Sequence, residues 1–276
     1  MKKINFTRWT MSLIMIFLTF VIIQGCNQTP TEQSKSFELK EVKHVKWSKN
    51  LSIYEVNIRQ YTPEGTFNAF AKHLPRLKAL GTDILWLMPI HPIEEKNRKG
   101  TMGSYYAVKD YYNVNPDLAL DPNNRLQEFK ELVDRTHKAG LKVIIDIVPN
   151  HVARNYKSLT NPEGIESFGD SDDTSLSYQV NTNFYYNPGE AFQVPNWRNG
   201  YLPLGGDTHT LADNKFKEIP AKWTGNGSRA SQPDMNDWYE TVKINYGVSP
   251  EGRKDFSELP NGFENEDYQS HFEFWK

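Results

Sequence analysis

The chain has 276 residues, of which 38% are hydrophobic, and this length and apolar content allow a substantial core. Its formal net charge at pH 7 is only −2, so it carries no excess of positive groups to hold a phosphate backbone. We therefore expect no nucleic-acid partner, and the single cysteine, Cys26, excludes an intrachain disulfide.

Residues 1–25 have the pattern of a secretion signal. Lys2, Lys3 and Arg8 precede an apolar stretch, residues 11–23, that is too short and wrongly flanked for a membrane span. We therefore expect a signal peptide that is removed from the mature protein.

The run from Ile23 to Cys26 resembles the lipobox of bacterial lipoproteins, in which a peptidase cuts before the cysteine and the thiol carries a diacylglycerol. The alternative is an ordinary signal peptide with a chance cysteine, which the position and sole occurrence of Cys26 disfavour. We expect attachment to a membrane of the bacterial cell envelope through this lipid, on the periplasmic or extracellular face. Residues 26–46 are polar and without periodicity, as in a tether.

Residues 47–152 alternate between strand and helix patterns. Residues 51–61 form the first predicted strand, and residues 67–81 the first helix, with a break near His73 because Pro75 lies inside the pattern. The second strand, residues 82–92, is apolar on both faces, which is typical of a parallel sheet covered on both sides.

A loop leads to a second predicted helix that ends at Gly140. Its predicted inward positions are Leu126, Phe129, Leu132, Val133 and Thr136. The third strand, residues 142–151 ("KVIIDIVPNH"), starts as a β-branched run and places Asp146, Asn150 and His151 at its far end. This order predicts right-handed βαβ units, in either a doubly wound sheet or a (β/α) barrel.

Polar and aromatic residues accumulate where the three strands end, at Arg59 and Tyr61, at His91, and at Asn150 and His151. In both architectures this edge is where chemistry takes place. No glycine-rich phosphate loop follows the first strand, which disfavours a nucleotide site.

Residues 153–260 lose this periodicity and are rich in Asn, Gly, Pro, Trp and Tyr, which is typical of a functional excursion. Within it, residues 240–247 ("ETVKINYG") predict a short strand. Residues 261–276 have the pattern of a helix that is just beginning.

Three segments, "GTDILWLMPIHP", "GSYYAVKDYYNVNP" and "FKELVDRTHKAGLKVIIDIVPNHV", resemble the N-terminal part of an α-amylase family enzyme, glycoside hydrolase family thirteen. The resemblance is close over residues 47–152 and looser through the excursion. It implies an α/β fold, an incomplete (β/α)8 TIM barrel with three βα steps in residues 47–152. Residues 153–260 would then be an inserted, loop-rich domain B after strand three.

The resemblance also implies roles for individual residues. Asp146 would orient its neighbours in the active site, and His151 would donate to sugar hydroxyls at the subsite of cleavage. Tyr106, four residues before Asp110, would stack on the sugar ring, whose axial C–H groups form an apolar patch. The alternatives are turn-capping for Asp146 and plain packing for Tyr106, which has three tyrosines close by in sequence.

Asn150 ligates a structural calcium in many family members, and the resemblance implies this role here. Calcium takes about six to eight oxygen ligands, so the excursion would have to supply more. The acidic residues of the excursion could equally form a solvated surface. Those available are Asp170, Asp172, Asp173, Asp213 and Asp234, and their spacing selects none of them.

Several aromatic residues of the excursion could form outer sugar platforms, but a small loop-rich domain also needs aromatic residues for its core. We expect each of them to be core. They are Trp197, Trp223, Trp238, Tyr185 and Tyr186.

Glycoside hydrolysis normally requires two carboxyl groups that flank the bond. In the family these are an Asp after strand four and a Glu after strand five, assisted by an Asp after strand seven, and we recognise none of these strands here. We therefore expect an inactive N-terminal portion of a longer, retaining hydrolase of α-1,4-linked glucans. The alternative is a non-catalytic glycan-binding lipoprotein on the same scaffold.

Overall fold

A computed structural model describes residues 45–95, 98, 102–195 and 217–252. The predicted signal peptide, the lipid attachment at Cys26, most of the tether and the predicted helix at 261–276 lie outside these ranges. Within them, no helix has the length and apolar character needed to span a bilayer.

Three short parallel strands form the central sheet in the order β1-β2-β3, as the βαβ pattern predicts. They are β1 (Ile53–Val56), β2 (Ile84–Leu87) and β3 (Lys142–Ile145). Val56, Leu87 and Ile145 lie side by side in the register. The carboxyl ends of all three strands therefore meet at one edge.

Four helices accompany this sheet: α1 (Ile58–Tyr61), α2 (Phe67–Ala71), α3 (Leu74–Ala79) and α4 (Arg125–Lys138). The Thr66 side chain caps α2 by accepting a hydrogen bond from the backbone of Ala69. The predicted break is confirmed, because α2 ends at Ala71 and α3 begins at Leu74 with Pro75 in its first turn. In the described part of the chain the remaining helical elements are three 3-10 turns, Lys46–Ser48, Pro116–Leu118 and Pro122–Asn124.

One face of the sheet packs on these helices and forms the larger core. Leu85 and Leu87 of β2 are fully buried there against Phe70, Leu77 and Leu132. Burying side chains of this size is the main stabilising term available to the fold.

The predicted inward stripe of α4 is correct at Phe129, Leu132 and Thr136 but wrong at Leu126, which is 50% exposed. Glu128 takes the inward position of the first turn instead. Its carboxylate accepts hydrogen bonds from the backbone N–H groups of Leu120 and Asp121 and from Asn68. These donors compensate for the cost of burying a charged group.

The opposite face of the sheet differs from the prediction that both faces are covered. Ile53, Trp86 and Ile144 are 56%, 38% and 45% exposed. Because successive side chains of a strand point to opposite faces, the helices shield one set of residues and leave these three in contact with solvent, although Ile84 on the same face is buried.

The excursion has antiparallel pairs of its own, β4 (His151–Ala153) with β7 (Thr241–Lys243) and β5 (Tyr186–Asn187) with β6 (Ala221–Lys222). β7 confirms the strand predicted at residues 240–247. A second core forms around β7. It contains Val152, Phe168, Phe184, Val242 and Ile244.

The predicted third strand is too long. β3 ends at Ile145, and the chain turns through Pro149 before His151 begins β4. Proline lacks a backbone N–H and is unsuited to the middle of a sheet. Asp146 and His151 therefore lie at the ends of two different sheets.

Arg154, almost fully buried, follows β4 and holds the excursion together. Its guanidinium pairs with Glu218 at 3.0 Å and donates to the backbone carbonyl of Thr241. It also lies 3.8 Å from the ring centre of Phe192. Burial lowers the pKa of Arg154, while the Glu218 carboxylate counteracts this shift.

We expect Arg154→Met to lower the free energy of unfolding by about 3–5 kcal/mol, because it leaves the Glu218 carboxylate buried with one cation fewer. Urea unfolding of the purified variant measures this loss. Lys157→Met is the matched control, since it removes a lysine from the exposed pair with Asp170 and should cost less than about 1 kcal/mol. Equal losses in the two variants would contradict the assignment.

Candidate functional site

A cavity of about 420 Å³ lies where the excursion meets the carboxyl edge of the sheet. It falls within the range of ligand pockets, roughly 300–1,000 Å³. Its walls contain two of the residues predicted from sequence, Tyr106 and His151. The full lining is Ser104, Tyr106, His151, Asp237, Trp238, Tyr239, Glu240 and Thr241.

Asp146 is linked to this cavity through Tyr106, whose hydroxyl donates a hydrogen bond to the Asp146 carboxylate at 3.2 Å. Burial, and next the negative charge of Asp146, raise the pKa of Tyr106. The phenol therefore stays protonated near neutral pH and keeps donating to Asp146. The structure thus brings together three residues that lie up to 45 positions apart in the chain, Tyr106, Asp146 and His151.

The side chain of Asn150 fixes the imidazole of His151. Asn150 Nδ2 lies 2.8 Å from His151 Nδ1 and 2.9 Å from the carbonyl oxygen of Gly225. Because an amide nitrogen can only donate, Nδ1 of His151 is the acceptor and the neutral ring carries its proton on Nε2. The ring therefore carries a single N–H group, which is the group that hydrogen-bonds to the backbone of Tyr106.

His151 is a neutral donor over the physiological pH range. Burial lowers the pKa of its imidazole to about 4; a hydrogen bond to the backbone of Tyr106 counteracts this shift, and the charge of Lys243 adds to it. A neutral imidazole suits contact with an uncharged, hydroxyl-rich ligand better than contact with an anion.

Gly225 allows the excursion to approach this histidine closely. A Cβ atom built at Gly225 would lie 2.1 Å from Thr241 Oγ1 and 3.0 Å from Cγ of His151. Any side chain at this position would displace the hydroxyl or the ring. The sequence "TGNGS" indicates only a turn, so this packing role was not predicted.

The surroundings of Asn150 do not fit a calcium ion. Its side-chain oxygen accepts a hydrogen bond from the ammonium group of Lys243, which already provides a positive charge at that position. Among the residues the structure describes, no three His, Cys, Asp or Glu side chains are grouped so that they could hold a metal. We therefore derive no step through calcium.

The acidic residues considered as further calcium ligands hold turns of the excursion instead. Asp172 accepts hydrogen bonds from the backbone of Asn183 and Phe184 and from the hydroxyl of Tyr186. Asp170 pairs with Lys157 on the surface. Asp173 and Asp234 each accept from a backbone N–H two residues ahead, while Asp213 lies outside the described residues.

Other residues predicted at the strand ends have structural partners outside the cavity. Arg59 donates to the hydroxyl of Tyr105 at 2.9 Å and to the carbonyl of Met102, and so braces the loop before Tyr106. His91 contacts the carbonyl oxygen of Asn113, and burial lowers the pKa of its imidazole.

The core prediction for the excursion's aromatic residues is confirmed at Trp223, Tyr185 and Tyr186, which are buried. It is wrong at Trp238, which is 52% exposed on the cavity wall. Its indole meets the imidazole of His151 edge to face, with the ring centroids 5.4 Å apart. Trp197 lies outside the described residues.

The family model for the α-amylase catalytic domain matches residues 29–243, well over half of the chain. The chain belongs to this family, as the sequence motifs predict. The parallel sheet and the excursion after its third strand are the fold in which the cavity is built.

The chain is similar to two glycosidases over part of its length. Malto-oligosyltrehalose trehalohydrolase of Saccharolobus solfataricus is 39% identical over 121 residues, which cover 43% of this chain and 20% of that protein. Alpha-amylase 3 of Dictyoglomus thermophilum is 28% identical over 162 residues, 56% of this chain and 27% of that protein. The chain thus spans about a fifth to a quarter of the length of these relatives.

Among solved structures, an α-amylase from Lactobacillus plantarum is 49% identical, with 40% of this chain and 24% of that chain covered and a TM-score of 0.36. A maltogenic α-amylase, AmyB, from Thermotoga neapolitana is 39% identical, with 40% and 25% covered and a TM-score of 0.36.

We expect calcium to have no stabilising effect through Asn150. A ligand present at about 100 times its Kd stabilises a protein by about 2.7 kcal/mol, so bound calcium would clearly raise the melting temperature. Melting curves of the purified protein in calcium chloride and in EDTA should coincide. Lys243→Met should lower the melting temperature, because Asn150 loses its donor. A calcium-dependent rise that disappears in Asn150→Ala would show that the metal displaces Lys243.

Proposed function

We propose that this chain is the N-terminal portion of a retaining glycosidase that acts on α-1,4-linked glucans. Residues 47–152 supply the first three βα steps of a (β/α)8 barrel, and residues 153–260 form an inserted domain B. The catalytic carboxylates then belong to later strands of the barrel.

The observation that carries this proposal is that Tyr106 and His151 line one cavity and that Tyr106 donates a hydrogen bond to Asp146. A phenol ring gives a flat apolar surface for the C–H face of a pyranose. The neutral imidazole places no charge beside this surface, and the hydrogen bond to Asp146 orients the phenol. Together they suit an uncharged sugar.

The exposed face of the sheet is evidence in favour of the proposed (β/α)8 barrel. Ile53, Trp86 and Ile144 point away from the helices and are open to solvent. In a (β/α)8 barrel the inward-facing side chains of eight strands pack in layers and cover one another. The three described strands by themselves leave that layer open, which accounts for large apolar side chains on the face that no described helix covers.

The relatives favour a glucan as substrate. Their names include a trehalohydrolase, an α-amylase and an oligo-1,6-glucosidase. These activities share α-linked glucose units and differ in linkage, so they support the substrate class more than the particular bond.

The two carboxylates in the cavity wall are placed to hold loops. Glu240 accepts a hydrogen bond from the backbone of Ser104 at 3.1 Å, which joins the excursion to the loop before Tyr106. Asp237 accepts from Asn226 at 2.8 Å and from the backbone of Asp234. We assign neither of them a step in bond cleavage, and the proposed roles of Tyr106, His151 and Asp146 are binding and orientation.

The proposal includes lipid attachment at Cys26 and a place in the bacterial cell envelope. It rests on the signal-like pattern of residues 1–25 and on the single cysteine that follows it. A glucan polymer outside the cytoplasm would be accessible to an enzyme anchored in this way. Labelling of the expressed protein with a radioactive fatty acid should depend on Cys26 and disappear in Cys26→Ser.

A glycan-binding lipoprotein without catalytic carboxylates is the second candidate, because the described cavity has contacts for a sugar but no assigned nucleophile. It predicts binding of maltooligosaccharides by the complete protein without cleavage. The two candidates differ only in whether maltooligosaccharides are cleaved, so one assay for cleavage products separates them.

We expect the complete protein, as its gene encodes it, to hydrolyse maltohexaose and the 276-residue chain to release no product. His151→Ala should lower kcat/KM by roughly 10- to 100-fold, since one hydrogen bond to a charged or developing charge is worth about 1.5–3 kcal/mol. Product analysis by chromatography measures both effects.

His137→Ala is the matched control, because this histidine is exposed in the last turn of α4, outside the cavity. Its activity should equal that of the unmodified protein. Hydrolysis by the purified 276-residue chain would contradict the placement of the catalytic groups. A complete protein that neither binds nor cleaves glucans would overturn the proposed function.

A further inference from the structure

The loop that carries Tyr106 is held from two sides of the fold. Residues 102–106, which we refer to as the tyrosine segment, contain no helix or strand. Loops are the more mobile parts of a protein, so the position of a loop side chain depends on the contacts of the surrounding backbone. One group of contacts comes from the edge of the parallel sheet and the other from the excursion.

Arg59 holds the tyrosine segment on the sheet side. It lies in α1, directly after β1, and its Nε donates to the hydroxyl of Tyr105 at 2.9 Å. Its two terminal nitrogens donate to the backbone carbonyls of Met102 at 2.8 Å and Gly103 at 3.3 Å. Asn57 donates to the same phenol at 2.6 Å. All three guanidinium nitrogens are thus used on one short segment, which only the planar fork of an arginine allows.

Glu240 holds the tyrosine segment on the excursion side. It lies directly before β7 and is buried, and its backbone carbonyl accepts from the N–H of Arg154 at 3.2 Å. Its carboxylate accepts a hydrogen bond from the backbone N–H of Ser104 at 3.1 Å. A carboxylate is a stronger acceptor for a backbone N–H than a neutral group is. The excursion is therefore attached to the segment through the backbone of one residue.

Ser104 connects this attachment to Tyr106. Its hydroxyl accepts from the backbone N–H of Tyr106 at 3.1 Å, and its carbonyl accepts from the N–H of Ala107 at 3.1 Å. The contact with Glu240 thus fixes the residue that in turn fixes the backbone of Tyr106. At the other end of the side chain, the phenol donates to Asp146.

A ring that contacts a sugar face has to be placed accurately. Binding constellations work when their groups are held within about 0.5 Å of the productive geometry. A loop that is ordered only when the ligand arrives loses conformational freedom at that moment, and this loss weakens the binding. Contacts from two different parts of the fold remove this cost in advance.

We propose that Glu240 and Arg59 are positioning residues for Tyr106, which act through the tyrosine segment and not by contact with the sugar. This inference rests on the proposed function and deepens it, because it makes the placement of the sugar-contacting ring depend on the excursion. Direct binding of the sugar by Glu240, which lines the cavity, is the competing explanation. The two explanations differ in whether the effect of Glu240 requires Tyr106.

The test is a double-mutant cycle in the complete protein. We expect Glu240→Ala to weaken the binding of thio-linked maltotriose, which glycosidases do not cleave, by roughly 3- to 10-fold, the effect of losing one hydrogen bond. Glu240→Gln should recover most of the affinity, since its amide oxygen can accept from Ser104. In Tyr106→Ala the ring is already absent, so adding Glu240→Ala should cause no further loss. Isothermal titration calorimetry measures these affinities.

Arg59→Lys tests the sheet side independently. Lysine keeps the positive charge but lacks the three nitrogens that bind Tyr105, Met102 and Gly103. This variant should also weaken the binding of the trisaccharide, and its effect should also disappear when Tyr106→Ala is present. It supplies the comparison if Glu240→Ala does not fold.

Glu128→Ala is the matched control. Glu128 is 5% exposed, against 6% for Glu240, and it too accepts from backbone N–H groups of a loop, those of Leu120 and Asp121. It lies in α4 and outside the cavity. This variant should have a lower melting temperature but bind the trisaccharide as the unmodified protein does. Melting curves of all variants identify any loss of folding.

The outcomes separate this inference from the proposed function. If the unmodified protein binds the trisaccharide and both Glu240→Ala and Arg59→Lys bind it equally well, the positioning role is overturned and the proposed function stands. If the losses of Glu240→Ala and Tyr106→Ala multiply in the double variant, Glu240 does not act through Tyr106 and the inference is wrong. If the unmodified protein binds no glucan, both fail.

Discussion

The cavity depends on one interaction, the hydrogen bonding of the Asn150 side chain between the sheet edge and the excursion. Its amide group donates to His151 and to the carbonyl of Gly225, and its oxygen accepts from Lys243. The contacts with Gly225 and Lys243 join residue 150 to segments that follow 75 and 93 positions later. Through them the imidazole acquires both its position and its tautomer.

The cationic side chains inside the excursion lie beside oxygen acceptors. Lys243 takes the position where a metal would otherwise balance the Asn150 oxygen, and Arg154 and Lys222 flank the buried Glu218. Buried cations require nearby acceptors because desolvation is costly. Arg154 meets this need with a carboxylate and backbone carbonyls, so a region with very little regular secondary structure gains fixed internal contacts.

Local sequence patterns predicted much of the parallel sheet and its helices. Proline chemistry predicted the break between α2 and α3 at Pro75, and β-branched runs predicted the cores of all three strands. Tertiary contacts explain the failures. Leu126 was expected inside, but Glu128 takes that position because loop N–H groups converge on its carboxylate. The third strand was extended to His151, but that residue pairs with Lys243, and the sequence pattern does not identify a partner so distant.

The sequence by itself determined the order of strands and helices, which follows from short-range periodicity, and it carries the motifs whose family resemblance points to Tyr106, Asp146 and His151. Only the tertiary structure decided that Gly225 must lack a side chain, that Lys243 contacts Asn150 and that Trp238 remains exposed. The physical reason is that burial and hydrogen-bond partners depend on segments far apart in the chain. The type of a residue does not identify the distant segment that packs beside it.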